Sequence, residues 1–389
     1  MDHAAPGGLA PHEMPTEASA ETNSKILILT VAHGAAHTRA ARAIEQALTV
    51  TQPGLTVKVV DALAQSAGWF RRYYNSYEIP LRYWPALWRW IESLQQSSKS
   101  TGPGWLYRHG AKPLFQFIEG FGPAIVVATE VGLCELASIY KRRYPAAFRL
   151  VAVELMDFYP AWAQPEVDLY LTSHPDLGAE LAAAGAPPEK IVSVGQPIDP
   201  LFLSLPQPGE ARSRLGMADD VPLLLVLFGG EGYGKPRKIV QQLKRVSLPL
   251  QTVFIAGRNQ RLEWQLKRLC QDLPRSRALG WVNNLHEWMS AADLMLGKPG
   301  GSTVAEGFAC GLPMVAFDPL PGNEERTCRW IEKWRAGLWA RKADELAPAI
   351  ETLLTTTEEL AALRARAQAL GRPRAAYDAA EAILKLIRA

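Results

Sequence analysis

The chain has 389 residues, of which 48% are hydrophobic and 21% charged, with a formal net charge of +3. This length suits two domains with full cores, and so small a charge surplus makes no electrostatic case for nucleic acid. Cys134, Cys270, Cys310 and Cys328 share no paired spacing, and the Asp, Glu and His residues show no metal-ligand clustering. A zinc site or disulfide framework is therefore not expected, and the thiols read as reduced and mostly buried.

Residues 1–23 are rich in Ala, Pro, Glu and His, lack periodicity and lack the basic start and apolar centre of a secretory signal; they read as a disordered tail. No window reaches roughly 18 uninterrupted apolar residues, so no bilayer-spanning helix is expected. Lys25 to Val31 is the first strand, followed by a turn at Ala32 to Ala36, a helix from His37 to Val50 and a strand from Leu55 to Val60. That β-turn-α-β start opens a doubly wound parallel-sheet domain. Further strands are predicted at Ala124 to Ala128, Arg149 to Val153, Leu169 to Thr172 and Ile191 to Val194, with helices such as Leu133 to Arg143 and Pro175 to Ala184 between them.

The first domain is thus placed at 24–204. Residues 205–220, Pro-rich and polar, read as a linker. A second β-first domain, 221–372, has predicted strands at Leu223 to Phe228, Thr252 to Ile255, Arg277 to Leu279, Asp293 to Leu296 and Met314 to Phe317. Residues 373–389 form a last helix that could return to the first domain. The fold class is α/β, with two Rossmann-like doubly wound domains facing each other across a cleft.

Within 69–108 the composition changes. Trp69, Trp84, Trp88, Trp90 and Trp105 are five of the twelve tryptophans, accompanied by Tyr73, Tyr74, Tyr77, Tyr83 and Tyr107. Arg71, Arg72, Arg82, Arg89, Lys99 and Arg108 outnumber Glu78 and Glu92. Amphipathic rings beside cations suit a bilayer interface with anionic headgroups, or the mouth of a lipid groove. A buried aromatic cap is the plainer alternative.

The most specific chemistry lies at Lys298-Pro-Gly300-Gly301-Ser302-Thr303-Val-Ala-Glu306. A glycine turn between a strand and a helix presents backbone N–H groups where the helix dipole also favours negative charge. Ser302 and Thr303 add hydroxyl donors, and Glu306, one turn further in, can accept from a ribose diol. Together they make a nucleotide-diphosphate seat. Phe228-Gly229-Gly230-Glu231-Gly232-Tyr-Gly234 is a second glycine loop whose backbone can curl close to a bound group.

These pieces carry a resemblance. With Gly280-Trp281-Val282, Ala256-Gly257-Arg258-Asn259, Gly311-Leu-Pro313 and Pro321-Gly-Asn323-Glu324, the second half resembles the nucleotide-sugar domain of the monogalactosyldiacylglycerol synthase group, inverting GT-B glycosyltransferases of family 28. The likeness covers most of residues 24–370 and is thinner in the first half, where Gly34-Ala-Ala36-His37 is similar to the family's Gly-x-Gly-His with Ala36 in place of glycine. It implies UDP on the second domain, near Gly229, Gly230, Gly232, Arg258, Asn259, Trp281, Val282, Gly300 and Gly301. Ser302 and Thr303 would hold phosphate, Glu306 ribose, and Asn323 and Glu324 the sugar.

His37 would remove the acceptor proton, as imidazole suits that task. Asp157, after the strand Arg149 to Val153, would assist, although Met156 stands where the family has Thr. His33 and Glu130 are weaker candidates. Trp69, Arg71, Arg72, Tyr73, Trp84, Trp88 and Trp90 would meet the membrane or the acceptor.

The expected activity is transfer of a hexose from a UDP-sugar to a lipid hydroxyl, most simply diacylglycerol. It would occur on the cytoplasmic face of a membrane, without a resident cofactor or metal and without nucleic acid. Another lipid-linked or small acceptor, an inactive UDP-sugar-binding scaffold, and a nucleotide-sugar epimerase are the alternatives. Donor sugar, processivity and oligomeric state stay open.

Overall fold

A computed structural model describes residues 25–32 and 35–388. Its first sheet comprises β1 (Lys25–Thr30), β2 (Thr56–Asp61), β3 (Ile125–Ala128), β4 (Arg149–Val153), β5 (Leu169–Thr172) and β6 (Ile191–Ser193), in the order β2-β1-β3-β4-β5-β6. The second comprises β7 (Leu223–Leu227), β8 (Gln251–Ile255), β9 (Ser276–Leu279), β10 (Leu294–Gly297), β11 (Met314–Phe317) and β12 (Gly337–Ala340), in the order β12-β11-β10-β7-β8-β9. Every pairing is parallel.

Helices cover both faces of both sheets. Central strands such as Ile125–Ala128 and Leu223–Leu227 are therefore buried at every position and read as unbroken apolar runs, not as alternations. The expected α/β architecture is present, with a distinction between its halves. Only the second sheet has the dinucleotide-fold strand order; the first has the flavodoxin-like order. The strand order reverses between β1 and β3 in one sheet and between β7 and β10 in the other, and ligands of such sheets bind outside the carboxyl ends of strands at these points.

Two elements differ from the sequence reading. β12 lies at a sheet edge, four residues long and only partly buried, too short for a periodic signal. Residues within the linker segment form the helix Pro208–Leu215, started by Pro208 and stopped by Gly216 at φ 64°. Arg212 fixes that helix to the second domain, donating to Ala291 O at 2.9 Å and to Asp293 Oδ2 at 2.5 Å.

Residues 69–108 fold as four short helices, Gly68–Asn75, Glu78–Tyr83, Pro85–Gln96 and Gly104–Gly110. Phe70 and Tyr107 turn into the core, whereas Trp69, Tyr73, Tyr83, Trp84, Trp90 and Trp105 stand exposed.

The last helix, Ala375–Arg388, lays Ala376, Ala379, Ala380, Ile383 and Leu384 against Ala40, Ala41, Ile44, Ala47 and Leu48 of the helix Ala35–Thr51. Its alanine stripe lets the two helices approach closely and ties the chain end to the first domain. Among the described residues no helix is long and apolar enough to cross a membrane.

Candidate functional site

The carboxyl ends of the two sheets meet at a cleft. On the second-domain wall, β10 ends at Gly297 and the chain turns into the helix Gly301–Ala309, capped by Gly300 with no side-chain cap. Its first N–H groups are left to a ligand or solvent. Gly301 is required by close approach: a Cβ there would meet Gln196 Oε1 at 2.7 Å and Leu155 O at 2.9 Å, both from the first domain. Gln196 Nε2 donates to Ser302 Oγ at 3.0 Å, while Gln196 Oε1 is buried without a partner.

The glycine loops after β7 and β8 pack backbone on backbone. Gly257, at φ 64°, would press a Cβ to 2.4 Å from Gly229 O and 2.5 Å from Gly230 O. Arg258 N donates to Gly230 O at 2.8 Å, and the Arg258 guanidinium lies 3.9 Å from the Trp281 ring centroid. Trp281 Nε1 in turn donates to Asn283 Oδ1 at 2.8 Å.

Gly229, Gly230, Arg258, Trp281, Val282 and Thr303 line a single cavity of about 530 Å³, closed from the first domain by Thr38, Arg39, Arg42 and Asp199. Asn259 does not reach it. Its Oδ1 accepts from Leu262 N at 3.0 Å as a helix cap, and its Nδ2 donates to Gly232 O at 3.0 Å, so both ends of the amide pin the loop and Gly232 supplies a carbonyl to that pin.

Glu306 is 1% exposed. Burial pushes its carboxyl up to about 7, opposed by the Arg39 guanidinium, which donates to Oε1 from the opposite wall. Glu306 Oε2 is buried without a partner. Asn323 and Glu324 begin the helix Asn323–Lys333. Glu324 Oε2 accepts from Leu320 N at 2.6 Å and lies 3.6 Å from Lys298 Nζ. Burial holds the Glu324 carboxyl above its ordinary range, with Lys298 opposing. Asn323 Oδ1 is a further buried acceptor without a partner. Gln196 Oε1, Glu306 Oε2 and Asn323 Oδ1 are thus three buried acceptors without a partner, on residues from both walls.

On the first-domain wall, residues 33 and 34, including His33 and Gly34 of the predicted turn, lie outside the described residues. His37 follows in the helix Ala35–Thr51, with Nδ1 2.6 Å from Thr129 O. A carbonyl only accepts, so Nδ1 carries the proton and the neutral ring keeps its lone pair on Nε2.

Asp157 stands in a tight turn after β4, beside Met156 at φ 62°, an uncommon conformation for a bulky residue. Its Oδ1 accepts from Leu155 N at 3.1 Å, and its own N–H donates to Glu154 Oε1 at 2.9 Å. Glu154 Oε2 accepts from Ser173 N at 3.0 Å and Ser173 Oγ at 2.8 Å. Burial raises both carboxyls to about 7; the Asp157 charge adds to the rise at Glu154, and the Glu130 charge adds to it at Asp157. Glu130 is committed elsewhere, capping the helix Val131–Arg143 and accepting from Tyr74 OH at 2.6 Å.

His37, Asp157, Glu306, Asn323 and Glu324 lie outside the lining of the large cavity. The aromatic segment also divides. Trp88 is 8% exposed and packs 5.7 Å from the Tyr77 ring, so it supports the exposed face without belonging to it. Trp69, Tyr73, Trp84 and Trp90 are exposed, as are Arg71 and Arg72, which stand between Trp69 and Tyr73 in the chain. Arg89, on the helix Pro85–Gln96, bonds Glu325 at 2.8 Å and so joins this segment to the helix that carries Asn323 and Glu324.

Sequence reasoning missed Arg39, Gln196, Glu154 and Lys298. Lys298 was visible inside the glycine run; the others act across domain or strand boundaries that spacing does not reveal. Among the described residues no three His, Cys, Asp or Glu side chains converge as a metal set.

Comparison with known proteins extends the picture to both halves. Residues 37–198 match the family model for monogalactosyldiacylglycerol (MGDG) synthase, and residues 236–356 match the model for glycosyl transferases group 1. A processive diacylglycerol beta-glucosyltransferase of Bacillus mycoides (strain KBAB4) is 27% identical over 375 residues, covering 93% of this chain and 94% of that protein. Its counterpart in Bacillus pumilus (strain SAFR-032) is 24% identical, covering 90% and 91%.

Among solved structures, MurG of Acinetobacter baumannii superposes with a TM-score of 0.64 at 15% identity, over 93% of this chain and 99% of that one. Alr3699/HepE of Anabaena in complex with UDP-glucose gives 0.53 at 16% identity, over 94% and 98%. These structural likenesses establish the fold alone. Taken over both domains, the chain is similar to the monogalactosyldiacylglycerol synthase and processive diacylglycerol glucosyltransferase group, and its fold is that of the GT-B glycosyltransferases.

Proposed function

We propose that the protein transfers a hexose from a UDP-sugar to a membrane lipid hydroxyl, most simply that of diacylglycerol, with inversion to a β-glycoside. The observation that carries this is the composition of one cleft. A glycine-turned helix start with orphaned acceptors forms one wall, and His37, with Nδ1 bound to a carbonyl, stands on the other. The lipid glucosyltransferase relatives, aligned over 93% of the chain, supply the acceptor class.

In the proposed mechanism UDP lies along the Gly229 to Gly232 loop, Arg258 and the Trp281–Val282 segment. Thr303, Ser302 and the N–H groups at Gly301 hold the diphosphate, Glu306 the ribose, and Asn323 and Glu324 the sugar. His37 Nε2 takes the proton of the lipid hydroxyl as its oxygen bonds to the anomeric carbon and the bond to the diphosphate oxygen breaks. Charge growing on the leaving diphosphate meets fixed dipoles and the Arg258 cation, which favours the transition state over the ground state. Asp157 assists from the end of β4. No resident cofactor is assigned.

The exposed rings of Trp69, Tyr73, Trp84 and Trp90, together with the exposed Arg71 and Arg72, support peripheral contact with an anionic membrane on its cytoplasmic face. The test is incubation with diacylglycerol in anionic vesicles and each common UDP-sugar in turn, reading UDP release, glycolipid yield and anomeric configuration. UDP release matched by a β-glycolipid is expected. UDP binding without lipid product from any donor would overturn the diacylglycerol assignment.

A further inference from the structure

We propose that Arg39, supplied by the first domain, is a donor-positioning residue that holds one carboxylate oxygen of Glu306 across the cleft and so presents the other to the ribose hydroxyls of a uridine nucleotide. This rests on the UDP-sugar reading above and adds to it a residue from the opposite wall.

Arg39 lies in the first turns of the helix Ala35–Thr51, two positions after His37. Its side chain is 33% exposed, lines the large cavity and donates from Nη2 to Glu306 Oε1. Glu306 is almost fully buried and its Oε2 has no partner. An ion pair on one oxygen fixes the rotation of the carboxylate, and an orphaned anionic acceptor calls for a donor. A ribose diol brings two O–H donors, whereas phosphate oxygens bring none and would be repelled.

Among the described residues, the charged and titratable groups that face Glu306 are Arg39, Asp199 and Cys310. Arg39 is the cation among them. Burial and Asp199 both favour the neutral acid, and Arg39 opposes them. Its loss would leave a carboxyl that is more often protonated and a weaker acceptor for the diol.

The test compares wild type, Arg39→Gln and Arg39→Lys for calorimetric binding of UDP and of 2′,3′-dideoxy-UDP at pH 6.5 and 8.5, with thermal melting as the check on folding. Arg39→Gln is expected to weaken UDP roughly tenfold at pH 6.5 and less at pH 8.5. It should leave dideoxy-UDP nearly unchanged, and Arg39→Lys should recover most of the loss. Equal losses for both nucleotides would mean that Arg39 acts on the phosphates and overturn the inference, as would an unchanged affinity for UDP. Failure of the wild type to bind UDP would remove the nucleotide reading and this inference with it. UDP binding by wild type with an unaffected Arg39→Gln removes this inference alone.

Discussion

The two walls of the cleft are built by opposite means. The second-domain wall is mostly backbone: an added Cβ would come to 2.3 Å from Ala256 O at Gly232, to 2.4 Å from Gly229 O at Gly257, and to 2.9 Å from Leu155 O of the first domain at Gly301. The first-domain wall is made of side chains from separate segments. His37, Arg39, Thr129, Glu154, Asp157 and Gln196 are brought together by the first sheet and held by hydrogen bonds to carbonyls, N–H groups and carboxylates. A backbone-built wall is written as a run of glycines and can be read locally. A side-chain wall leaves single polar residues scattered over more than a hundred positions. If the proposed division of labour is right, damage to one wall should fall on nucleotide binding and damage to the other on transfer.

The largest effect on nucleotide binding is expected at Glu306. Glu306→Ala removes the carboxylate assigned to ribose and should weaken UDP by about 2 kcal/mol, some thirtyfold, in a calorimetric titration. An unchanged UDP affinity would detach Glu306 from the nucleotide.

Gly301→Ala probes the contact between the walls. The Gln196 side chain can move, but the Leu155 carbonyl 2.9 Å from the added Cβ is backbone. Chemical denaturation should show a loss of about 1–2 kcal/mol. An unaltered midpoint would mean that the walls do not meet this closely in solution.

Asp157→Asn tests the first wall by pH. Burial raises the Asp157 carboxyl from its ordinary 3.8 to about 7. Between those values the folded chain keeps a proton that the unfolded chain has released. Stability attributable to this group is therefore greatest below about 4 and declines as pH rises toward about 7. The variant should flatten that decline in denaturation curves from pH 4.5 to 7.5. A slope identical to wild type would show that Asp157 is not held as described.

Smallest is the effect expected at the exposed aromatic face proposed to meet the membrane. Trp84→Ser and Trp90→Ser should each cost about 1 kcal/mol of vesicle partition, since only part of each ring remains to be covered, with melting unchanged. Trp88→Ser should instead lower the melting temperature, because Trp88 is 8% exposed.

Much of the fold was legible because buried parallel strands are continuous apolar runs: Lys25–Thr30, Arg149–Val153 and Leu223–Leu227 stand out without any partner known. β12 did not, because a four-residue edge strand carries no pattern of its own. The helix Pro208–Leu215 did not either, since its hold on the second domain is one arginine reaching Ala291 and Asp293 some eighty positions away. Within the site, the glycine run at 300–301 and Thr303 could be found by local chemistry. Asn259 could not be separated from its neighbours, because the same amide serves as well for a helix cap as for a ligand. Arg39 could not be chosen over Arg42, one helical turn away, until Glu306 was seen opposite it.

The most direct test of the division between the walls is His37→Ala, assayed on one preparation for transfer to diacylglycerol in anionic vesicles and for UDP affinity. Turnover is predicted to fall about a hundredfold or more while UDP binds within about twofold of wild type. Retained turnover, or turnover and UDP affinity falling together, would contradict the account.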